Sequence, residues 1–266
     1  MTGQNDVYAD LAAEGDALDR LVAGLDGAGW ATPTPSPGWN VGHQIAHLAF
    51  IAHLAVLSST DPEAFEIEAA PSRVDFQGSV DAKLAEYMDD SPEAVLQRWR
   101  TNREKGAQGL AAMEGQMVPW LQTPLPASVL ATAGIMELFG HGQDVADALR
   151  VKRERTDRIV HLTYFGLLTR AFGYVAHGEE PPTEPVRLDL VAPSGAKWTF
   201  GPEDAAEYVT GSAWDFCLLI LRRRHRADLD LTAYGAEASH WLDVAQAYRG
   251  PAGEGRRPGQ FAALDA

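Results

Sequence analysis

Apolar positions recur at helical spacing through roughly the first 150 residues, then switch to strict alternation near residue 186. Leu11, Leu18, Leu21, Val22 and Leu25 draw one stripe on a helix that ends near Gly27 and Gly29. A proline-rich loop follows over 31–38. Asn40 offers an N-cap for a second helix reaching about residue 58, apolar on most sides and therefore expected to be buried. Ser91-Pro92-Glu93 is a helix start, carried onward by Val95, Leu96, Trp99, Arg103 and Leu110, and a fourth helix is predicted over 127–149. Four long helices imply an antiparallel bundle whose one long connection, 61–90, holds a short helix near 83–88.

After a charged hinge at 151–158 the pattern predicts one more apolar helix, 161–176, and a loop, 178–185. Val186, Leu188 and Leu190 then alternate with Arg187 and Asp189, Pro193-Ser194-Gly195 turns the chain, and Lys197-Trp198-Thr199-Phe200 reads as the returning strand. Tyr208-Val209 is a candidate third strand. Ser212 with Asp215 forms an S-x-x-D cap for a helix through Arg223, and 237–248 reads as a last helix. The tail, 250–266, rich in Gly, Pro and Arg, is expected to be loosely held. The fold class is therefore α plus α+β: a helical bundle over 1–150 and a smaller α+β domain over 151–266.

Charge narrows the partners. With 22 Lys and Arg against 37 Asp and Glu the net charge is −15, and the one basic cluster, Arg222 to Arg224 with Arg226, is short. A nucleic-acid phosphate surface and an anionic membrane are both disfavoured, leaving a small molecule as the expected partner. No run is read as approaching the roughly 18 apolar residues of a membrane span, and residues 1–10 carry no leader pattern, so a cytoplasmic location is expected. The lone cysteine, Cys217, sits in the run Phe216-Cys217-Leu218-Leu219-Ile220 and reads as a core residue.

Histidine placement carries the chemistry. His43 and His47 share a face of the second helix, and Glu137 and His141 share a face of the fourth. A glutamate in the apolar stretch Ile135-Met136-Glu137-Leu138-Phe139 is costly to bury unless paired or bound to a cation. Two imidazoles and one carboxylate fit a divalent ion and leave a position open for water or substrate. By spacing alone the same residues also fit polar helix positions with no metal. His53 lies on another face and reads as structural. Gly140 and Gly142, costly inside a helix, leave room for a ligand or a close helix contact. Trp39, Trp99 and Trp120 read as core or wall residues.

The segment Pro35-Ser36-Pro37-Gly38-Trp39-Asn40-Val41, followed by Ile45-Ala46-His47-Leu48, resembles the loop and helix that open the metal site of the mycothiol-dependent maleylpyruvate isomerase family, within the DinB-like superfamily. Glu137-Leu138-Phe139-Gly140-His141-Gly142-Gln143-Asp144 is similar to that family's E-x-x-x-H-G-x-D block, and the second half is similar to its sterol-carrier-like domain. The resemblance implies a DinB-like four-helix bundle with His47, Glu137 and His141 as metal ligands. Zinc is the default ion, with nickel, iron or cobalt as alternatives. The family pattern places no ligand at His43, which by its position one turn before His47 reads as a pocket or supporting residue, against an ordinary polar helix position. Asp144, three residues after His141, reads either as a grip on a ligating imidazole or as a backbone cap. The resemblance also implies an arginine of the second domain on substrate carboxylates. Arg222, closest to the apolar helix, is favoured over Arg223 and Arg224, although cations also suit a helix C-terminus.

The activity implied is that of a metal-dependent enzyme in which a low-molecular-weight thiol, mycothiol in the family, adds to an activated double bond. Elimination after bond rotation gives an isomerase, and retention of the thiol a transferase. Two other readings fit the same ligands: a thiol-independent metal hydrolase, lyase or cyclase on a small metabolite, and a non-catalytic metal-binding ligand sensor.

Overall fold

The computed structural model describes residues 6–265, which divide into two compact units, 1–151 and 152–266. In the first unit, α1 (Val7–Val22) and the short α2 (Gly27–Trp30) precede α3 (Val41–Thr60). Asn40 caps α3 by accepting from the His43 N–H at 3.0 Å. The 61–90 connection holds two 13-residue helices, α4 (Pro62–Val74) and α5 (Phe76–Met88), in place of the one short helix expected. Their caps were present in the sequence: Asp61 accepts from Ala64 N, with Pro62 in the first turn, and Asp75 accepts from Gly78 N. Their apolar faces are narrow, with Phe65 and Ala69 buried on α4 and Val80, Leu84 and Tyr87 on α5, which is why periodicity passed over them.

Next come α6 (Pro92–Ala112), the two-stranded ribbon β1 (Met117–Val118) and β2 (Leu125–Pro126), and α7 (Ala127–Leu149). α3 packs on α6 and α7, and α1 packs on both of those as well, so four long helices enclose a core that includes Ile45, Leu54, Trp99 and Leu138. Each fully buried Ile or Leu there contributes about 1.5–3 kcal/mol. α3 is the central wall. By length and composition alone it is apolar enough to cross a membrane, contrary to the sequence reading, yet most of that stretch is buried in the unit.

The second unit opens with a 3-10 turn at 157–159 and then α8 (Val160–Leu168) and α9 (Ala171–Ala176), two helices where one was expected. Thr169 returns its hydroxyl to the Phe165 carbonyl at 2.8 Å at the break. Gly173 on α9 faces the Val244 backbone, where a Cβ would stand 2.2 Å from the carbonyl oxygen. β3 (Val186–Val191) and β4 (Lys197–Phe200) form the expected hairpin, with Leu190 opposite Trp198. β5 (Glu207–Ser212) runs parallel to β3, and β6 (Leu231–Tyr234), which the sequence reading missed, closes the order β4-β3-β5-β6. β6 is only four residues long and only half-buried on its inner face, too short to signal itself by alternation; Tyr234 stacks on Tyr208 of β5 at 4.4 Å.

α10 (Ala213–Ile220) is capped by Ser212 as expected but stops three residues early. Arg222 takes φ 58°, its N–H donates to Leu219 O, and the Arg223 N–H reaches back to Leu218 O. This closes the helix with a left-handed residue, so the arginines lie beyond it. α11 (Ala236–Val244) also ends early, because Ala247 N donates to Ile220 O and draws the chain away. The tail is held, unlike the loose one expected: Phe261, just before α12 (Ala262–Asp265), is buried under the Arg224 guanidinium at 4.1 Å, and Gly259 N donates to Asp228.

Candidate metal centre

The loop before α3 turns back on itself. Thr34 N and Thr34 Oγ1 both donate to the Trp39 carbonyl, at 2.8 and 2.9 Å, and Trp39 N donates to Ser36 O. Ser36 Oγ in turn donates to Asp144 Oδ2 at 2.8 Å, fastening the loop to α7. Trp39 is thereby placed against the histidines: its ring centroid is 5.5 Å from that of His47 and 5.9 Å from that of His141.

His47 on α3 and Glu137 with His141 on α7 come together although 90 residues separate the two segments. Glu137 Oε2 lies 3.4 Å from His47 Nε2 and 3.2 Å from His141 Nε2, and one potential ligand atom from each residue lies within 4.8 Å of the other two. Burial opposes the charge on Glu137, but the contacts with His141 and His47 outweigh it and hold the carboxyl well below the usual carboxylate range. Among the described residues the buried Nδ1 of His47 finds no hydrogen-bond partner. A carboxylate aimed at the Nε2 atoms of two imidazoles fits a cation held by all three groups.

Other candidates fall elsewhere. His43 belongs to the α3 cap: its Nδ1 faces Asn40 Oδ1 at 2.6 Å, its ring stacks beside Trp39 at 6.4 Å, and burial pushes its pKa down. Asp144 accepts from Ser36, while the side chain facing His141 Nδ1 is Gln44, at 2.5 Å from its Oε1. Sequence reasoning passed over Gln44. The available signal was a glutamine between Gly42 and the apolar run Ile45-Ala46, in a helix expected to be buried all round. Trp99 is fully buried and Trp120 stacks on Phe65. Cys217 is fully buried with its sulfur 3.5 Å from Thr163 Oγ1, and is no exposed nucleophile.

Within the second unit a cavity of about 590 Å³ is lined by Arg222, Arg224, Arg226 and Arg256, opposed by Asp243 and Glu254. Arg226 is engaged by Asp243 at 2.6 Å, and Arg222 Nη2 donates to Gly253 O at 3.3 Å. Arg223 does not line the cavity and instead donates to Leu221 O.

Residues 11–146 match the family model of the mycothiol maleylpyruvate isomerase N-terminal domain. Two uncharacterized proteins of Mycobacterium tuberculosis, from strains CDC 1551 / Oshkosh and ATCC 25618 / H37Rv, are each 42% identical over 93% of this chain and 97% of their own. Among solved structures, the mycothiol-dependent maleylpyruvate isomerase aligns over 85% of this chain and 91% of that one with a TM-score of 0.53 at 15% identity. A histidine-to-alanine mutant of that enzyme aligns over the same shares at 0.52. These two likenesses are of fold.

Proposed function

The chain belongs to the family defined by the mycothiol maleylpyruvate isomerase N-terminal domain, and from that membership we propose a metal-dependent enzyme that uses a low-molecular-weight thiol to isomerise or conjugate a small unsaturated acid. The observation that carries this reading is the convergence of His47, Glu137 and His141 beside Trp39. Those three residues would hold a divalent ion, zinc by preference and nickel, iron or cobalt otherwise. When bound, the ion would supply a Lewis acid that keeps a thiol such as mycothiol in its thiolate form.

The chain's own residues supply the rest. Glu137 provides the single negative charge among the three donors, so a divalent cation keeps net positive charge toward an incoming anion. Trp39 covers one side of the imidazoles and excludes water there. His43 secures the Asn40 cap, and with it the start of α3 from which His47 projects. Cys217 is sealed in the core, so the attacking sulfur comes from a separate molecule. Arg222 is proposed as the contact for an acid's carboxylate.

The test is turnover of maleyl- or enoyl-type acids by metal-loaded protein with and without mycothiol. Activity that needs both metal and thiol is expected. Activity that needs metal but ignores thiol would replace this reading with a hydrolase, lyase or cyclase, and metal-dependent ligand binding without turnover would leave a sensor.

A further inference from the structure

A row of hydrogen bonds behind His141 has its direction fixed at one end. The Trp39 carbonyl is backbone and can only accept, so the Thr34 hydroxyl, 2.9 Å away, must spend its proton there. Thr34 Oγ1 then presents lone pairs to Gln44, which must answer with its amide N–H₂; Gln44 Nε2 is 2.9 Å away. That leaves Gln44 Oε1 facing His141 Nδ1, and an amide oxygen there requires the ring nitrogen to carry the hydrogen. Gln44 is fully buried and both ends of its amide are engaged, and reversing the amide would place acceptor against acceptor at Thr34.

We propose that Gln44, anchored by Thr34 and the Trp39 carbonyl, is a positioning residue that fixes His141 as the Nδ1–H tautomer and so turns the Nε2 lone pair toward Glu137 and the metal. The same carbonyl belongs to the residue whose ring covers the site, so the loop that walls the imidazoles also sets the proton on one of them. Asp144, the carboxylate three residues after His141, instead takes the Ser36 hydroxyl and holds that loop in place.

The inference rests on the metal reading above. Zinc affinity of the full chain is measured by competition with a chromophoric chelator for wild type, Gln44→Leu and Gln44→Glu. In parallel, ring-nitrogen correlation NMR of the zinc-loaded wild type reads the His141 tautomer without any substitution. Expected are a protonated Nδ1 on His141, a ten- to hundredfold weaker zinc affinity in Gln44→Leu, and recovery to within a few-fold in Gln44→Glu, which still accepts from Nδ1. A wild-type His141 with a bare Nδ1 overturns the inference even if Gln44→Leu fails to fold. So does a folded Gln44→Leu with unchanged affinity. Wild type that binds no zinc overturns the metal reading and this inference together, whereas zinc bound equally by wild type and Gln44→Leu overturns this inference alone.

Discussion

Replacing Glu137 by Gln keeps the side-chain volume and removes the one negative charge facing His47 Nε2 at 3.4 Å and His141 Nε2 at 3.2 Å. Without metal the variant loses the contacts with His141 and His47 that hold the Glu137 carboxylate ionised, and a neutral amide replaces them only in part. Its metal-free unfolding temperature is expected somewhat below that of wild type. With metal the two separate further. At free zinc about 100-fold above the dissociation constant, wild type gains about 2.7 kcal/mol, a rise of about 5–11 °C at about 2–4 °C per kcal/mol for a chain of this size. If losing the carboxylate weakens binding by about 100-fold, the same zinc concentration adds only about 0.4 kcal/mol to the variant, or about 1–2 °C. The assay is thermal unfolding of both proteins with chelator and with zinc. A variant that retains most of the wild-type rise, or a wild type with no rise at saturating zinc, refutes the assignment of Glu137 as a ligand.

Arg222→Gly relieves a non-glycine residue at φ 58° at the end of α10 at the cost of one 3.3 Å hydrogen bond to Gly253 O. Stability is expected to hold or rise by about 0.5–1 kcal/mol in chemical denaturation. Turnover of an acidic substrate should fall about tenfold; unchanged turnover would leave the residue as a helix terminator only. Tyr174, buried and donating to Glu237, has its phenol pushed up to about 12 by burial first and the Glu237 hydrogen bond second. Because the folded value lies above the unfolded one near 10, the stability it lends is complete below about pH 10 and is lost as pH rises through about 12. Denaturation of Tyr174→Phe should show a flatter alkaline limb than wild type, and parallel limbs would contradict the coupling.

Legibility in the sequence followed the strength of each local signal. Ser91-Pro92 and the unbroken apolar pattern at 127–149 marked α6 and α7, and the alternation at Val186, Leu188 and Leu190 marked β3, because each encodes a whole buried face. The elements missed or misjudged are those decided by tertiary contacts. α4 and α5 bury only a few side chains each, β6 is drawn in by β5, and α10 ends where Arg222 turns left-handed, which no spacing rule foretells for an arginine. Phe261 held the tail although its surroundings are Gly, Pro and Arg. At the site, His47, Glu137 and His141 were readable from their i,i+4 placement together with the family resemblance. Gln44 was not, because its partners Thr34 and His141 lie 10 and 97 residues away along the chain.

The central claim is that a thiol sulfur occupies the open position of a metal held by His47, Glu137 and His141. A crystal of zinc-loaded protein grown with excess mycothiol decides it, through anomalous scattering at the zinc edge and the electron density beside it. The expected result is one zinc peak among the two imidazoles and the Glu137 carboxylate, with a sulfur about 2.3 Å from it. A fully occupied zinc carrying only water at that position in the presence of the thiol, or a zinc bound elsewhere, would contradict it.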